Sequence, residues 1–297
     1  MNYKEKISVI IPNYNYGRFI GEAIESVLVQ TLPPAEIVIV DDGSSDDSVK
    51  IIESFGNKVK LIKQVNGGVG RARNVGVENS SGDFFAFLDA DDIWFSNKLS
   101  KQMTLFEDKT IGYVSCGLRE FDLNGKTICH QIPQMNGWTT ENMLLFDTLT
   151  AASGSTFIVS RKIFKQVGGF DENPDLHPSE DWDFARRVSQ ITRIVTIPEV
   201  LVHYRNHGGN GHLNIPRFEN SMTLAFEKTF ESAPPKLQKI KRKAYGNLHR
   251  VLAGSYFYAN DYLKFLTHSV RSFEKSPENI FYFIKFPYRR IKKIFDE

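Results

Sequence analysis

Five apolar residues, Phe84-Phe85-Ala86-Phe87-Leu88, run directly into Asp89-Ala90-Asp91-Asp92. A short run without polar alternation reads as a strand buried on both faces, the habit of parallel sheets covered by helices. Three carboxylates crowded where such a strand ends repel one another unless a cation or a ligand joins them. Hard divalent ions take carboxylate oxygens together with substrate phosphates, and open α/β sheets bind their ligands at the carboxyl ends of the strands. The run therefore points to a metal and phosphate site at one edge of an α/β sheet. A helix N-cap cluster ahead of Ile93-Trp94 is the plainer alternative, and it absorbs Asp92 more readily than all three acids.

Two other segments repeat the pattern. Ile7-Ser8-Val9-Ile10-Ile11 runs into Pro12-Asn13-Tyr14-Asn15, and Ile37-Val38-Ile39-Val40 runs into Asp41-Asp42-Gly43-Ser44-Ser45-Asp46. Both read as β-branched strands ending in turn residues. Between them Ile20, Ala23, Ile24, Val27 and Leu28 recur at helix spacing, and Pro33-Pro34 stops the pattern. The unit is strand, helix, strand, and its strand ends face the same edge as Asp89.

In this order and spacing, SVIIPNYN, IVIVDDGSSD, GGVGRARNVGVENSSGDFFAFLDADD, VGGFDE and SEDWDFARRV resemble the nucleotide-diphospho-sugar glycosyltransferases of family 2. The matching stretches fall in roughly the first two thirds of the chain. The resemblance implies the GT-A fold, a Rossmann-like α/β architecture with a mixed sheet flanked by helices. It places a catalytic domain over residues 1–232 and leaves a helical C-terminal appendage over 236–297. It also implies inverting, metal-dependent transfer of one sugar, a hexose or N-acetylhexosamine, from a UDP-sugar or other nucleoside-diphosphate sugar to a glycan or lipid-linked acceptor. Cell-surface polysaccharide, lipopolysaccharide or capsule biosynthesis is the setting such enzymes serve.

Residue by residue, the resemblance assigns Pro12, Tyr14 and Asp42 to the base and ribose of the donor, although turn chemistry would account for Asp42 as well. The glycine-rich stretch Gly67 to Gly76 opens a helix, where free N–H groups favour anions. Within it Arg73 matches the donor-contacting arginine of the family. Asp89 is expected at the ribose or sugar hydroxyls and Asp91 on Mn²⁺ or Mg²⁺ bridging the two phosphates, with Asp92 assisting. Asp181 matches the catalytic base, and Glu180 and Trp182 are expected to shape the acceptor pocket. A capping box begun by Ser179 is the alternative for that segment. Phe170 reads equally as core or contact. His207, in the loop after Val200 to Asn206, is expected on the metal or diphosphate, ahead of His203 and His212.

Composition limits the rest. The chain has 297 residues and two cysteines, Cys116 and Cys129, too few for a disulfide framework and without zinc-site spacing. No stretch approaches transmembrane length and no leader is evident, so the expected location is the cytoplasm, peripheral on the cytoplasmic face of a membrane. From Lys236 onward there are 14 Lys and Arg against 5 Asp and Glu, whereas before it there are 23 against 30. That split suggests a separate partner for the tail, with the boundary near Ser232-Ala233-Pro234-Pro235. In the tail Phe257, Tyr258, Tyr262, Phe265 and Leu266 supply an apolar helix face, and Ile280 to Phe295 mixes aromatics with basic residues. Such a segment suits an anionic bilayer, or else a helix packed on the catalytic domain; nucleic acid is not expected.

Two rival readings remain at this level. A non-catalytic sugar-nucleotide or glycan-binding module would use the same loops, though intact acids argue against decay. An Asp-nucleophile phosphatase would place its Asp-x-Asp element after the first strand, not after a nucleotide-binding half. The processive synthases of the superfamily carry Gln-x-x-Arg-Trp and membrane helices, neither of which occurs here.

Overall fold

A computed structural model describes residues 5–147 and 153–284. The described residues form two compact units, 5–140 with 153–213, and 141–147 with 214–284. The segment from Lys285 to Phe295 lies outside the described residues, as does the side chain of His212.

The first unit holds the sheet. Its strands are β1 (Ile7–Asn13), β2 (Glu36–Asp41), β3 (Lys60–Lys63), β4 (Phe84–Phe87), β5 (Ile93–Trp94), β6 (Ile111–Phe121), β7 (Thr127–Gln131), β8 (Asn136–Gly137), β9 (Ile158–Ser160) and β10 (Arg193–Arg205). The order across the sheet is β3-β2-β1-β4-β9-β6-β10-β5, with β7 beside β6 and β8 beside β10. Strands β3, β2, β1 and β4 are mutually parallel, Val9 standing opposite Ile37 on one side and Ala86 on the other. Strand β9 runs against both β4 and β6, which makes β6 parallel to β4, and β10 is parallel to β6. The consequence is the site itself: Asn13, Asp41, Leu88 and Arg205 all leave the sheet at one edge.

Among the described residues six helices lie in this unit, α1 (Gly17–Leu28), α2 (Ser48–Ser54), α3 (Val69–Glu78), α4 (Lys98–Thr104), α6 (Arg161–Val167) and α7 (Glu180–Ser189), while α5 (Thr140–Leu145) falls almost wholly in the second. The apolar spacing expected for the first of them is met at four positions of five: α1 buries Ile20, Ala23, Ile24 and Val27 in one core with Val9, Ile11, Ile37 and Ile39, whereas Leu28 at its end is exposed. Helix α3 lies so close to β1 that a Cβ at Gly76 would strike Ile10. That approach fixes where the helix starts, and with it the glycine turn.

The second unit is helical, with α8 (Ile215–Glu231), α9 (Pro235–Gln238), α10 (Lys241–Tyr258), α11 (Tyr262–Lys275) and α12 (Ile280–Ile284). The division falls at Leu213/Asn214, earlier than the boundary expected near Ser232 to Pro235. Packing explains the difference. Phe226 and Phe230 of α8 meet Tyr245 of α10, and Phe146 stacks on Phe226 at 5.9 Å. The prolines therefore separate α8 from α9 inside one unit. Of the apolar face expected in the tail, Phe257 and Phe265 pack ring to ring at 5.1 Å, but Tyr258, Tyr262 and Leu266 are exposed. Among the described residues no helix is long and apolar enough to cross a membrane.

Candidate active site

The three acids after β4 do three different things. Asp92 is buried, with one oxygen accepting the Ser155 hydroxyl and the other the Arg205 backbone N–H at 3.0 Å. Burial, then the charges of Asp91 and Asp89, push its carboxyl well above the usual carboxylate range. Both oxygens being used within the protein, Asp92 clamps the loop to the end of β10, where the sequence suggested help with a metal. Asp89 accepts Arg73 Nη2 at 2.7 Å, and its backbone N–H donates to Ser155 Oγ. Burial raises its pKa and the Arg73 charge opposes the rise. Asp91 turns the other way, its Oδ2 lying 2.9 Å from His207 Nε2, with both side chains about one-tenth open.

Beside these acids, β1 and β2 build a polar floor. Pro12 is buried within β1 opposite Val40, whereas Tyr14 stands out from the strand end, about half exposed. An exposed ring at a strand end is available for stacking on a base. Asp42 is buried, and its two oxygens accept the N–H groups of Gly67 and Gly68 at 2.8 and 2.9 Å and the Gln64 amide at 2.7 Å. Its carboxylate thus pins the glycine turn that opens α3. Gly68 sits there at φ +88°, a conformation that disfavours any side chain.

Arg73 rises from α3 into the middle of the unit. It is 2% exposed, donates to Asp89 with Nη2 and to Glu180 Oε1 with Nη1 at 2.8 Å, and lies 5.1 Å from the Phe170 ring. Burial opposes its charge, but Asp89, Glu180 and Asp181 outweigh that and hold the guanidinium protonated. Glu180 is held down to about 2 against burial by the His177 hydrogen bond and the Arg73 charge. A Cβ at Gly154 would strike both Arg73 and the Asp89 carboxylate, so this close approach needs glycine.

Helix α7 carries the expected acceptor-side residues. Ser179 is its N-cap residue but makes no side-chain capping bond, so the capping-box alternative is not realised. Asp183 is occupied by Arg186 at 2.9 Å and Arg187 at 2.7 Å. Asp181 is half-buried, and burial followed by the Glu180 charge pushes its carboxyl well above the usual range. A carboxylate so disfavoured gains most by taking a proton. Trp182 is buried, most of its ring lying in the packing. Phe170 resolves as core, stacked on Phe184 at 4.3 Å.

Among the described residues no group of three or more His, Cys, Asp and Glu side chains is arranged to hold a metal. Two protein donors are nevertheless what a hard divalent ion takes when substrate phosphates supply the remainder. Asp91 and His207 are such a pair, adjacent and partly open, beside acids whose mutual repulsion a cation would relieve. The donor set fits. His203, by contrast, is drawn down to about 4 by burial and by Arg119 and Arg205, and its Nδ1 accepts from Arg119 at 2.7 Å.

Sequence reasoning missed four participants. Burial, and then the nearby Asp91 charge, push the Tyr16 phenol up, and Tyr16 sets its ring edge against His207 at 5.7 Å. Ser155 links Asp89 to Asp92, Arg205 donates through Nε to the Asp91 carbonyl at 2.9 Å, and His177 faces Glu180 at 3.2 Å. Tyr16 and His177 stood one and two residues outside quoted motifs, and Arg205 lay in the strand read ahead of His207; Ser155 carried no local signal.

The model of the family described as Glycosyl transferase family 2 matches residues 8–168. An uncharacterized glycosyltransferase of Nostoc sp. is 36% identical over 70% of this chain and 67% of its own length. One of Rickettsia prowazekii is 32% identical over 69% of this chain and 65% of its own, so the match spans about two thirds of that relative. In fold, the chain is similar to S. aureus TarS solved with UDP-GlcNAc, at TM-score 0.65 and 19% identity over 93% of this chain and 82% of that one. It is also similar to the mannosyltransferase PcManGT of Pyrobaculum calidifontis solved with GDP-Man and Mn²⁺, at TM-score 0.64 and 20% identity over 98% and 84%. The expected mixed sheet with flanking helices is therefore a GT-A fold. With more than half its length matched by that model, this chain belongs to glycosyl transferase family 2.

Proposed function

We propose that the chain transfers a single hexose or N-acetylhexosamine from a nucleoside-diphosphate sugar, UDP-sugars being the first to test, to a hydroxyl of a glycan or lipid-linked saccharide with inversion. Assembly of cell-surface polysaccharide, lipopolysaccharide or capsule is the setting this reading suggests. One observation carries it. Arg73 joins Asp89, on the strand-end loop of the donor side, to Glu180, the neighbour of Asp181. One buried cation thereby ties the donor acids to the proposed base.

In this reading Tyr14 stacks on the base, Asp42 and Pro12 shape its floor, and Asp89 orients the sugar or ribose hydroxyls. Arg73 holds Asp89 in place, acting on the donor through that carboxylate. Asp91 and His207 hold Mn²⁺ or Mg²⁺, which when bound supplies Lewis-acid neutralisation of the leaving diphosphate. Asp181 takes the proton of the acceptor hydroxyl as its oxygen attacks the anomeric carbon from the face opposite the leaving group. Glu180, kept ionised, and Trp182 position α7 around the acceptor. Nucleotide-sugar ligands of TarS and PcManGT support the donor class. The basic C-terminal region supports an enzyme working peripherally at the cytoplasmic face of an anionic membrane, where lipid-linked acceptors reside.

The test is a panel of UDP- and GDP-sugars with Mn²⁺ or Mg²⁺, scored by calorimetry for binding and by proton NMR for the anomeric configuration of the product. Failure to bind any nucleoside diphosphate with either metal overturns the reading, and a retained configuration overturns the mechanism.

A further inference from the structure

His177 lies just ahead of α7, and its Nδ1 is 3.2 Å from Oε2 of Glu180, the first residue of that helix. The other oxygen of Glu180, Oε1, accepts Arg73 Nη1 at 2.8 Å. Against burial, the His177 hydrogen bond and then the Arg73 charge keep Glu180 ionised. An ionised carboxylate only accepts, so Nδ1 carries the proton and His177 donates. One buried carboxylate is thereby held from two sides, by α3 through Arg73 and by the segment ahead of α7 through His177. The imidazole is seated in turn. On the side of Nε2 it meets the loop after His207, where a Cβ at Gly211 would come 2.9 Å from Nε2 and 3.0 Å from Pro178, so the ring is wedged between that loop and Glu180.

Asp181, next along α7, feels the carboxylate held in this way. Burial comes first in raising its carboxyl, followed by the Glu180 charge; Arg73 opposes the rise and Asp89 adds to it. On β6, burial and then the Asp181 charge raise the Tyr113 phenol, which completes the titratable groups acting around this acid. A donor on one carboxylate oxygen draws off part of the negative charge that its neighbours feel.

We propose that His177 is a positioning residue for the base: its Nδ1–H holds the second oxygen of Glu180 and so limits the negative charge that Glu180 turns on Asp181. The inference deepens the transferase reading above and rests on it only for Asp181 being the base. Without the donor, Glu180 remains charged, because Arg73 is still in place, and acts on Asp181 more strongly. Asp181 then keeps its proton to higher pH, and fewer molecules hold an ionised base at neutral pH. A contact that merely steadied the start of α7 would alter stability and leave the titration of Asp181 where it is.

The experiment follows the ¹³C carboxyl resonance of Asp181 through a pH titration of the full chain, the resonance being identified by its loss in Asp181→Asn. In His177→Ala the midpoint rises by at least about half a pH unit, which below the midpoint is about a threefold loss of ionised base. His177→Phe, which keeps a ring and has no donor, gives the same rise and serves where the alanine variant does not fold. His177→Asn, whose amide nitrogen takes the place of Nδ1, returns the midpoint to the parental value. An unmoved or lowered midpoint without the donor overturns the proposal, as does an equal rise in His177→Asn. The second readout is UDP release from UDP-N-acetylglucosamine with Mn²⁺ and water as acceptor. His177→Ala slows it at neutral pH by about threefold or more, with affinity for UDP and Mn²⁺ unchanged, and His177→Asn restores it. A loss that comes only through weaker UDP binding places His177 on the donor and overturns the proposal. No release by the parent counts against the transferase reading for this donor and leaves the titration result standing.

Discussion

Asp92 accepts the backbone N–H of Arg205 at 3.0 Å, a bond that spans 113 positions of sequence and is buried at both ends. The acid loop after β4 is thereby fastened to the strand end from which His207 departs. Asp91, one residue earlier, makes no comparable clamp through its carboxylate and faces His207 instead. Adjacent acids thus divide into one that holds the fold and one that faces the site.

That division predicts a stability contrast. Asp92→Ala leaves the Arg205 N–H and the Ser155 hydroxyl without their acceptor, at about 1–3 kcal/mol for each buried group. Asp91→Ala removes one of three mutually repelling acids and should change stability by less. Urea unfolding of both variants reads the difference directly. If Asp91→Ala proved the more destabilising, the assignment of roles would be reversed.

Asp91→Asn keeps the shape of the side chain but removes the charge that a hard cation requires. Affinity for UDP in the presence of Mn²⁺ should fall, while the metal-free affinity stays near that of the parent. His207→Ala should move in the same direction. Calorimetry with and without metal checks this, and metal-dependent affinity untouched by both substitutions would remove the pair from the metal site.

Arg73→Met should cost about 3–5 kcal/mol, because it strands two carboxylates that the guanidinium now joins. The acid limb carries a second signature. Glu180, depressed to about 2 from an ordinary 4.5, contributes stability that is fully present above pH 4.5 and is lost as pH falls through 2. Without Arg73 that depression shrinks, so acid unfolding should begin at higher pH. Acid titration by circular dichroism would show it, and coincident acid limbs would argue that His177 alone holds Glu180.

Much of the edge was legible in the chain because strands and their ends are local. Ile7 to Ile11, Ile37 to Val40 and Phe84 to Leu88 are short apolar runs stopped by turn residues, and the structure has β1, β2 and β4 there. What the acids do was less legible, since their partners are distant in sequence: Ser155 lies 63 positions from Asp92, and Glu180 lies 107 from Arg73. For Asp42 the sequence offered a ribose contact or turn chemistry, and its carboxylate is seen on the glycine turn. In the tail, periodicity announced a helix around Phe265 and Leu266. It could not say which side faces out, because tight packing of Ser272 on Gly246 decides that.

Lys98 gives a prediction with a definite sign. Its ammonium is buried, 2.7 Å from Gln102 Oε1 and 4.0 Å from the centre of the Trp94 ring, and burial brings its pKa down to about 8 from 10.5. Below pH 8 the group is charged in folded and unfolded chains alike. Between 8 and 10.5 the unfolded chain binds the extra proton, so this residue's contribution to stability rises with pH, by at most about 3 kcal/mol. Tyrosines and Cys116 titrate at nearby pH, so the comparison is with Lys98→Met. Relative to that variant the parent should gain stability from pH 7.5 to pH 10 in urea unfolding, and a constant difference would mean that Lys98 stays charged.

Asp181 offers the most direct test of the chemistry. Burial and the Glu180 charge raise its carboxyl, so a base at this position is protonated and idle at low pH and becomes active as pH rises through its pKa. Transfer by the parent should therefore climb with pH along one acid limb. Asp181→Asn should bind UDP and metal almost as the parent does, since Asp91, His207 and Asp42 stand on other strand ends. Transfer should nonetheless fall by about 10²- to 10⁴-fold, the usual contribution of a positioned base, and the residual rate should lose the acid limb. Near-parental transfer with the limb intact would move the base elsewhere on α7. Asp183 is already taken by Arg186 and Arg187, and Glu180 is ionised and paired with Arg73, so neither neighbour is placed to accept a proton as readily as Asp181.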